Sequence, residues 1–126
     1  MFANRVSPEE KKEVQSVKLS SLASSSEGNC IYVGTKKTNL LVDCGVSAKR
    51  IENSLSELDL TVPEFDGILI THEHTDHIKG LGVIARRYGL PIFATGKTID
   101  AIFDYKNLGK VDKSLFHSIE ADKPFG

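Results

Sequence analysis

The chain has 126 residues, 40% hydrophobic and 26% charged, with a formal net charge of −1. That length allows at most one domain, and the composition is that of an ordinary globular protein rather than a disordered or fibrous one. A charge so near zero gives no electrostatic argument for nucleic-acid binding. No apolar run approaches the ~20 residues of a membrane span and no signal peptide is visible, so the expectation is a cytoplasmic protein with no membrane partner.

Residues 1–16 are polar and charged, and Ser7-Pro8-Glu9-Glu10 has the form of a capping box with proline at the first helical position. We read 1–16 as an extension without function and 17–126 as the domain. Val17 to Leu22 alternates weakly and reads as the first strand. Ser24 to Asn29 is a turn by composition. Cys30-Ile31-Tyr32-Val33 and Leu40-Leu41-Val42-Asp43 flank Thr35-Lys36-Lys37-Thr38, a hairpin pattern. Cys30 and Cys44 are too few and too widely spaced for a zinc finger; in a reducing compartment they are expected as small, free core residues. Asp43 ends an apolar strand, where a carboxylate is costly unless satisfied, and a capping or turn role is one way to satisfy it. Ile51, Leu55 and Leu58 behind Ser47 predict an amphipathic helix from Ser47 through Leu60. Val62-Pro63-Glu64-Phe65-Asp66 then breaks the pattern.

Gly67-Ile68-Leu69-Ile70 is too short for a helix and β-branched, which predicts a buried strand. It runs directly into Thr71-His72-Glu73-His74-Thr75-Asp76-His77-Ile78-Lys79-Gly80, which holds three of the four histidines of the chain. From Ile78 the spacing of Leu81, Ile84, Ala85 and Tyr88 is helical. The cluster therefore sits where a strand gives way to a helix, a place where α/β proteins position sites. Two residues apart in extended chain, His72 and His74 project to one side and can grip one ion. Asp76 and His77 diverge as the helix starts and can reach a second. A hard oxygen beside imidazoles suits Zn, Mn or Fe. Against this stands the plain reading of surface histidines with Asp76 as a helix cap, and Glu73 reads as solvated or supporting. The combination His-x-His-x-Asp-His after a buried strand favours metal.

Leu90-Pro91-Ile92-Phe93-Ala94 predicts another strand, and Thr95 opens a helix carrying Ile99, Ile102 and Phe103. Gly96-Lys97-Thr98 lacks the upstream glycine of a phosphate loop. Leu115 to Ile119 is a last strand, on which His117 reads as structural. Lys79, Arg86 and Arg87 can form a local basic groove, although three charges on a helix usually mark its solvated face. The order of elements is α/β, with helices covering a sheet.

Thr71 to Gly80 resembles the signature of the metallo-β-lactamase-fold hydrolase superfamily, and Gly80 to Ile92 resembles its YycJ (WalJ)-type branch of DNA exonucleases. The likeness runs from about Val17 to the end. It implies an αββα sandwich of which this chain carries the first half. It implies two divalent metal ions on His72, His74, Asp76 and His77, with Asp43 supporting the histidines from behind. The reaction implied is phosphodiester hydrolysis of DNA by a metal-bridging hydroxide, with Asp76 orienting the nucleophile. The family's remaining ligands lie downstream of the residues present here, so a homodimer or a separate C-terminal half is the implied partner. The motif specifies metals and not substrate, so a thioester or lactone hydrolase, or a non-catalytic metal-binding half, stays open.

Overall fold

The computed structural model describes residues 17–25, 28–72 and 74–120. The capping box at Ser7 to Glu10 lies outside them, as do Ser26, Glu27 and Glu73. Six strands form a single mixed sheet whose spatial order equals the chain order: β1 (Lys18–Ser25), β2 (Gly28–Gly34), β3 (Asn39–Val42), β4 (Gly67–Leu69), β5 (Ile92–Thr95) and β6 (Phe116–Ile119). The first three are antiparallel, and β3 through β6 are parallel. The helices are α1 (Ala48–Ser56), α2 (Thr75–Ile78), α3 (Leu81–Tyr88) and α4 (Gly96–Phe103). No helix among the described residues is long and apolar enough to cross a membrane.

The α/β order read from the sequence is present, with three local differences. The expected turn at Ser24 to Asn29 is mostly strand, because Ser24 pairs with Asn29 and Ser25 with Gly28. A ladder needs backbone groups only, so serine-rich composition does not forbid it. The helix behind Ser47 stops at Ser56 instead of Leu60. Asp59 adopts a left-handed φ of 59° and Leu60 N–H returns to the carbonyl of Leu55, which leaves Leu58 42% exposed rather than in the core. The helix expected after the histidine motif is two helices, α2 and α3, separated at Lys79 and Gly80.

The two faces of the sheet differ. Ala23, Cys30, Tyr32, Leu41, Ile68, Ile92 and Ala94 are buried strand residues on one face. They form one core with Ile51 and Leu55 of α1, Ile78 of α2, Leu81, Ile84 and Ala85 of α3, and Ile102 of α4. On the other face a row runs through the registers Ile31↔Val42, Val42↔Leu69 and Leu69↔Phe93 to His117. None of these is in the buried core; Ile31 is 38% exposed and Leu19, paired with Val33 on the same face, is 71% exposed. Strands apolar on both faces belong to sheets covered on both sides. Among the described residues, one side is covered.

Candidate metal centre

The site is built at the carboxyl ends of two parallel strands, β3 and β4. Asp43, the first residue after β3, has a left-handed φ of 66° and is tied by its N–H to the carbonyl of Leu69 at 2.8 Å. Aspartate tolerates that conformation better than most residues. The twist turns its carboxylate toward the end of β4. There Oδ1 accepts from the Thr71 N–H at 2.8 Å, and Oδ2 accepts from the Thr71 hydroxyl at 2.7 Å and lies 2.7 Å from Nδ1 of His77. Asp43 is only 5% exposed, and these donors offset the cost of burying it.

The network fixes more than one ring. A carboxylate only accepts, so Nδ1 of His77 carries the hydrogen. The Thr71 hydroxyl has a single hydrogen, given to Asp43, and its oxygen is 3.1 Å from Nδ1 of His72. His72 must then donate from Nδ1 as well. One carboxylate oxygen sets the tautomer of His77 directly and of His72 through Thr71, and Nε2 becomes the ligand atom of both. The two ring centres are 4.9 Å apart, and His74 stands 6.1 Å from His72. That donor set fits a divalent cation. Among the described residues no three His, Cys, Asp or Glu side chains converge into a complete ion site. Asp76 is adjacent to His77 on α2; its side chain lies outside the described parts, like the whole of Glu73.

Backbone bonds hold the motif against the loop that follows β3. Cys44 N–H donates to the carbonyl of His77 at 2.7 Å, and the carbonyl of Cys44 accepts from Gly80 N–H at 2.7 Å. This bracket explains the break between α2 and α3. A methyl at Gly80 would stand 2.1 Å from the Val46 carbonyl, and one at Gly28 would stand 2.2 Å from that of Gly45. Both glycines permit a close backbone approach beside Asp43. Cys30 and Cys44 are free and fully buried, in line with the core role expected for them. A hydrogen bond with Cys30 and burial push the Cys44 thiol well above its ordinary range.

His117 takes no part in the motif; it is on β6, stacked on Phe93 with ring centres 5.3 Å apart. Lys79, Arg86 and Arg87 do not form one groove, since Arg86 donates to the carbonyl of Leu108 and Arg87 pairs with Glu52 on α1. Sequence reasoning named Asp43 but missed Thr71. The available signal was a hydroxyl residue directly before the first histidine of the motif.

Comparison with known proteins adds four findings. The model of the metallo-beta-lactamase superfamily matches residues 26–109. Exodeoxyribonuclease WalJ of Streptococcus pneumoniae is 50% identical over 106 residues, which are 84% of this chain and 39% of that protein. Exodeoxyribonuclease YycJ of Bacillus anthracis is 46% identical over 105 residues, 83% of this chain and 40% of that protein. This chain thus spans about two-fifths of the length of these relatives. Among solved structures, a B3 metallo-beta-lactamase with an active-site glutamic acid superposes with a TM-score of 0.69 at 15% identity, covering 83% of this chain and 44% of the other. At that identity the likeness concerns the fold alone.

Proposed function

This chain belongs to the metallo-beta-lactamase superfamily, and from that premise we propose that it carries the first part of the active site of a metal-dependent DNA exonuclease. Residues 17–126 are the part of the domain that bears it, and residues 1–16 are an extension. The observation that carries the reading is the Asp43 network, in which one carboxylate orients His77 directly and His72 through the Thr71 hydroxyl. In this reading His72 and His74 hold one ion, and Asp76 and His77 hold a second. Two divalent ions, Zn or Mn with Fe as a further choice, supply Lewis acidity toward a phosphoryl oxygen and lower the pKa of a coordinated water.

The protein's own part is positioning. Asp43 keeps both Nδ1 atoms protonated, so that Nε2 of each ring presents its lone pair. Asp76 helps orient the attacking nucleophile. A catalytic ion of this kind usually takes three protein ligands, and the pairs named here supply two each. The remaining ligands come from a C-terminal half or from a second copy. The cytoplasm, where chromosomal DNA is found, is the compartment this substrate implies. The nuclease reading is supported by the names of the relatives, which are 46–50% identical over most of this chain.

The deciding experiment joins metal content, by plasma mass spectrometry on protein purified without chelator, to hydrolysis of a single-stranded oligonucleotide in Mn²⁺ or Zn²⁺ by a version extended to the relatives' length. Metal binding and hydrolysis that are both lost on His74→Ala are the expected result. Thioester or lactone hydrolysis without DNA cleavage would replace the nuclease by another hydrolase of the superfamily. Bound metal with no turnover on any of these would leave a non-catalytic binding half.

A further inference from the structure

A cleft beside the motif carries chemistry that the proposed centre does not use. Val46, Ser47, Arg50 and Lys79 line it, around a volume of about 350 Å³. One wall is the start of α1 and the other is the turn between α2 and α3. The walls are fastened by backbone, through the 2.7 Å bond from Gly80 N–H to the Cys44 carbonyl and the contact of Gly80 with Val46. Arg50 and Lys79 are therefore presented by two elements that keep a fixed separation.

Among the described residues no carboxylate lines this cleft. Neither cation makes an ion pair with a described residue; the described pairs are His77–Asp43 and Arg87–Glu52. The Ser47 oxygen accepts from Arg50 N–H at 3.3 Å, as the cap of α1, and its own hydrogen can be donated outward. The concavity thus offers a guanidinium, an ammonium and a hydroxyl donor around one space. Like charges held together repel, and an anion with several acceptor oxygens relieves that repulsion while matching the donors. A phosphate meets both conditions, and guanidinium with ammonium is the usual side-chain pairing for a nucleic-acid backbone. Lys79 lies two residues past His77 in the chain, so the cleft adjoins the motif.

We propose that this cleft binds a backbone phosphate of the DNA strand other than the one under attack, and so holds the strand in position. The proposal rests on the nuclease reading for the identity of the strand. Its test separates the two. Binding of a fluorescein-labelled single-stranded oligothymidylate is followed by anisotropy in EDTA, where neither metal nor turnover contributes. Wild type is compared with Arg50→Ala/Lys79→Ala and with Lys36→Ala/Lys37→Ala, which removes equal charge from the exposed hairpin turn. Circular dichroism checks the fold of each variant.

The cleft variant is expected to bind about 10-fold more weakly, with a salt dependence shallower by about 1.4, which is two contacts at about 0.7 each for a single strand. The hairpin variant should change affinity less than about 2-fold. No binding by wild type, no loss in the cleft variant, or equal loss in both variants overturns the subsite. Titration with inorganic phosphate should shift the amides of Ser47, Arg50 and Lys79 in wild type and not in the cleft variant. Cleft-dependent binding in a protein whose extended version cuts no DNA overturns the nuclease reading and keeps the subsite. Normal cutting with unchanged binding does the reverse.

Discussion

The two faces of the sheet are written in the same amino acids and behave differently. Cys30 and Tyr32 point one way from β2 and Ile31 points the other, yet only the first pair lies in the buried core. The same holds for Ile68 against Leu69 and for Ile92 against Phe93. What separates them is the cover: all four helices among the described residues contribute to the core on one face. Apolar character alone therefore does not report stability. A residue stabilises when something removes it from water, and on the second face the described chain supplies nothing that does.

The comparison yields a first, large test. Ile92→Ala on the covered face should cost about 2–5 kcal/mol, because it deletes packed methyl groups and leaves a cavity. Leu19→Ala on the bare face should change stability by less than about 0.5 kcal/mol. Urea midpoints of the two variants measure both, and equal losses would mean that the bare face is packed in solution. That result would call for a sedimentation experiment to find the second copy covering it.

The rim between the faces, where the site sits, gives the next test. Asp43→Asn keeps the left-handed backbone but places a donor where Thr71 or His77 also donates. A loss of about 1–3 kcal/mol is expected from a buried group left unpaired. Ring-nitrogen NMR should show that His72 and His77 no longer share one fixed tautomer. An unchanged nitrogen spectrum would contradict the relay through Thr71.

The smallest effect belongs to the outer surface of the covered face. Hydrogen bonds from Tyr88 and Arg87 hold the Glu52 carboxyl below its ordinary range. The folded-state pKa is depressed, so the contribution is complete above the ordinary carboxylate pKa and is lost as pH falls through the lowered value. With its Arg87 partner 52% exposed, the pair contributes no more than about 0.5 kcal/mol. Glu52→Gln should therefore be slightly less stable than wild type at about pH 7, with the gap narrowing as pH falls below the ordinary carboxylate range. A constant gap between the two urea midpoints would show that the pair contributes through packing instead.

These differences also mark how far the sequence could be read. The short β-branched run from Gly67 to Ile70 and the histidine spacing pointed to the candidate site, since a strand followed by ligand residues leaves few arrangements. Asp43 was legible as a carboxylate in need of partners, and Thr71 and His77 are those partners. The break at Gly80 was not legible, because helical spacing continues through it from Ile78 to Leu81. It arises from the backbone bonds that join Cys44 to His77 and Gly80, which local pattern does not encode. The bare face was hidden for a similar reason: Cys-Ile-Tyr-Val and Gly-Ile-Leu-Ile are apolar on both sides, so no alternation says which side the helices take.

The sheet has one more property, in its order. Among the described residues each strand lies beside the one before it in the chain, from β1 at one end of the row to β6 at the other. No strand must be inserted between two that are already paired. A chain emerging from the ribosome therefore always finds its template waiting: β2 on β1, β3 on β2, and each parallel strand on an edge already formed. Growth is vectorial, and the open edge travels with synthesis. Removing the described strands from β6 backward removes successive edges and never a centre, so the Asp43 network at the ends of β3 and β4 is laid down before β5 and β6 exist.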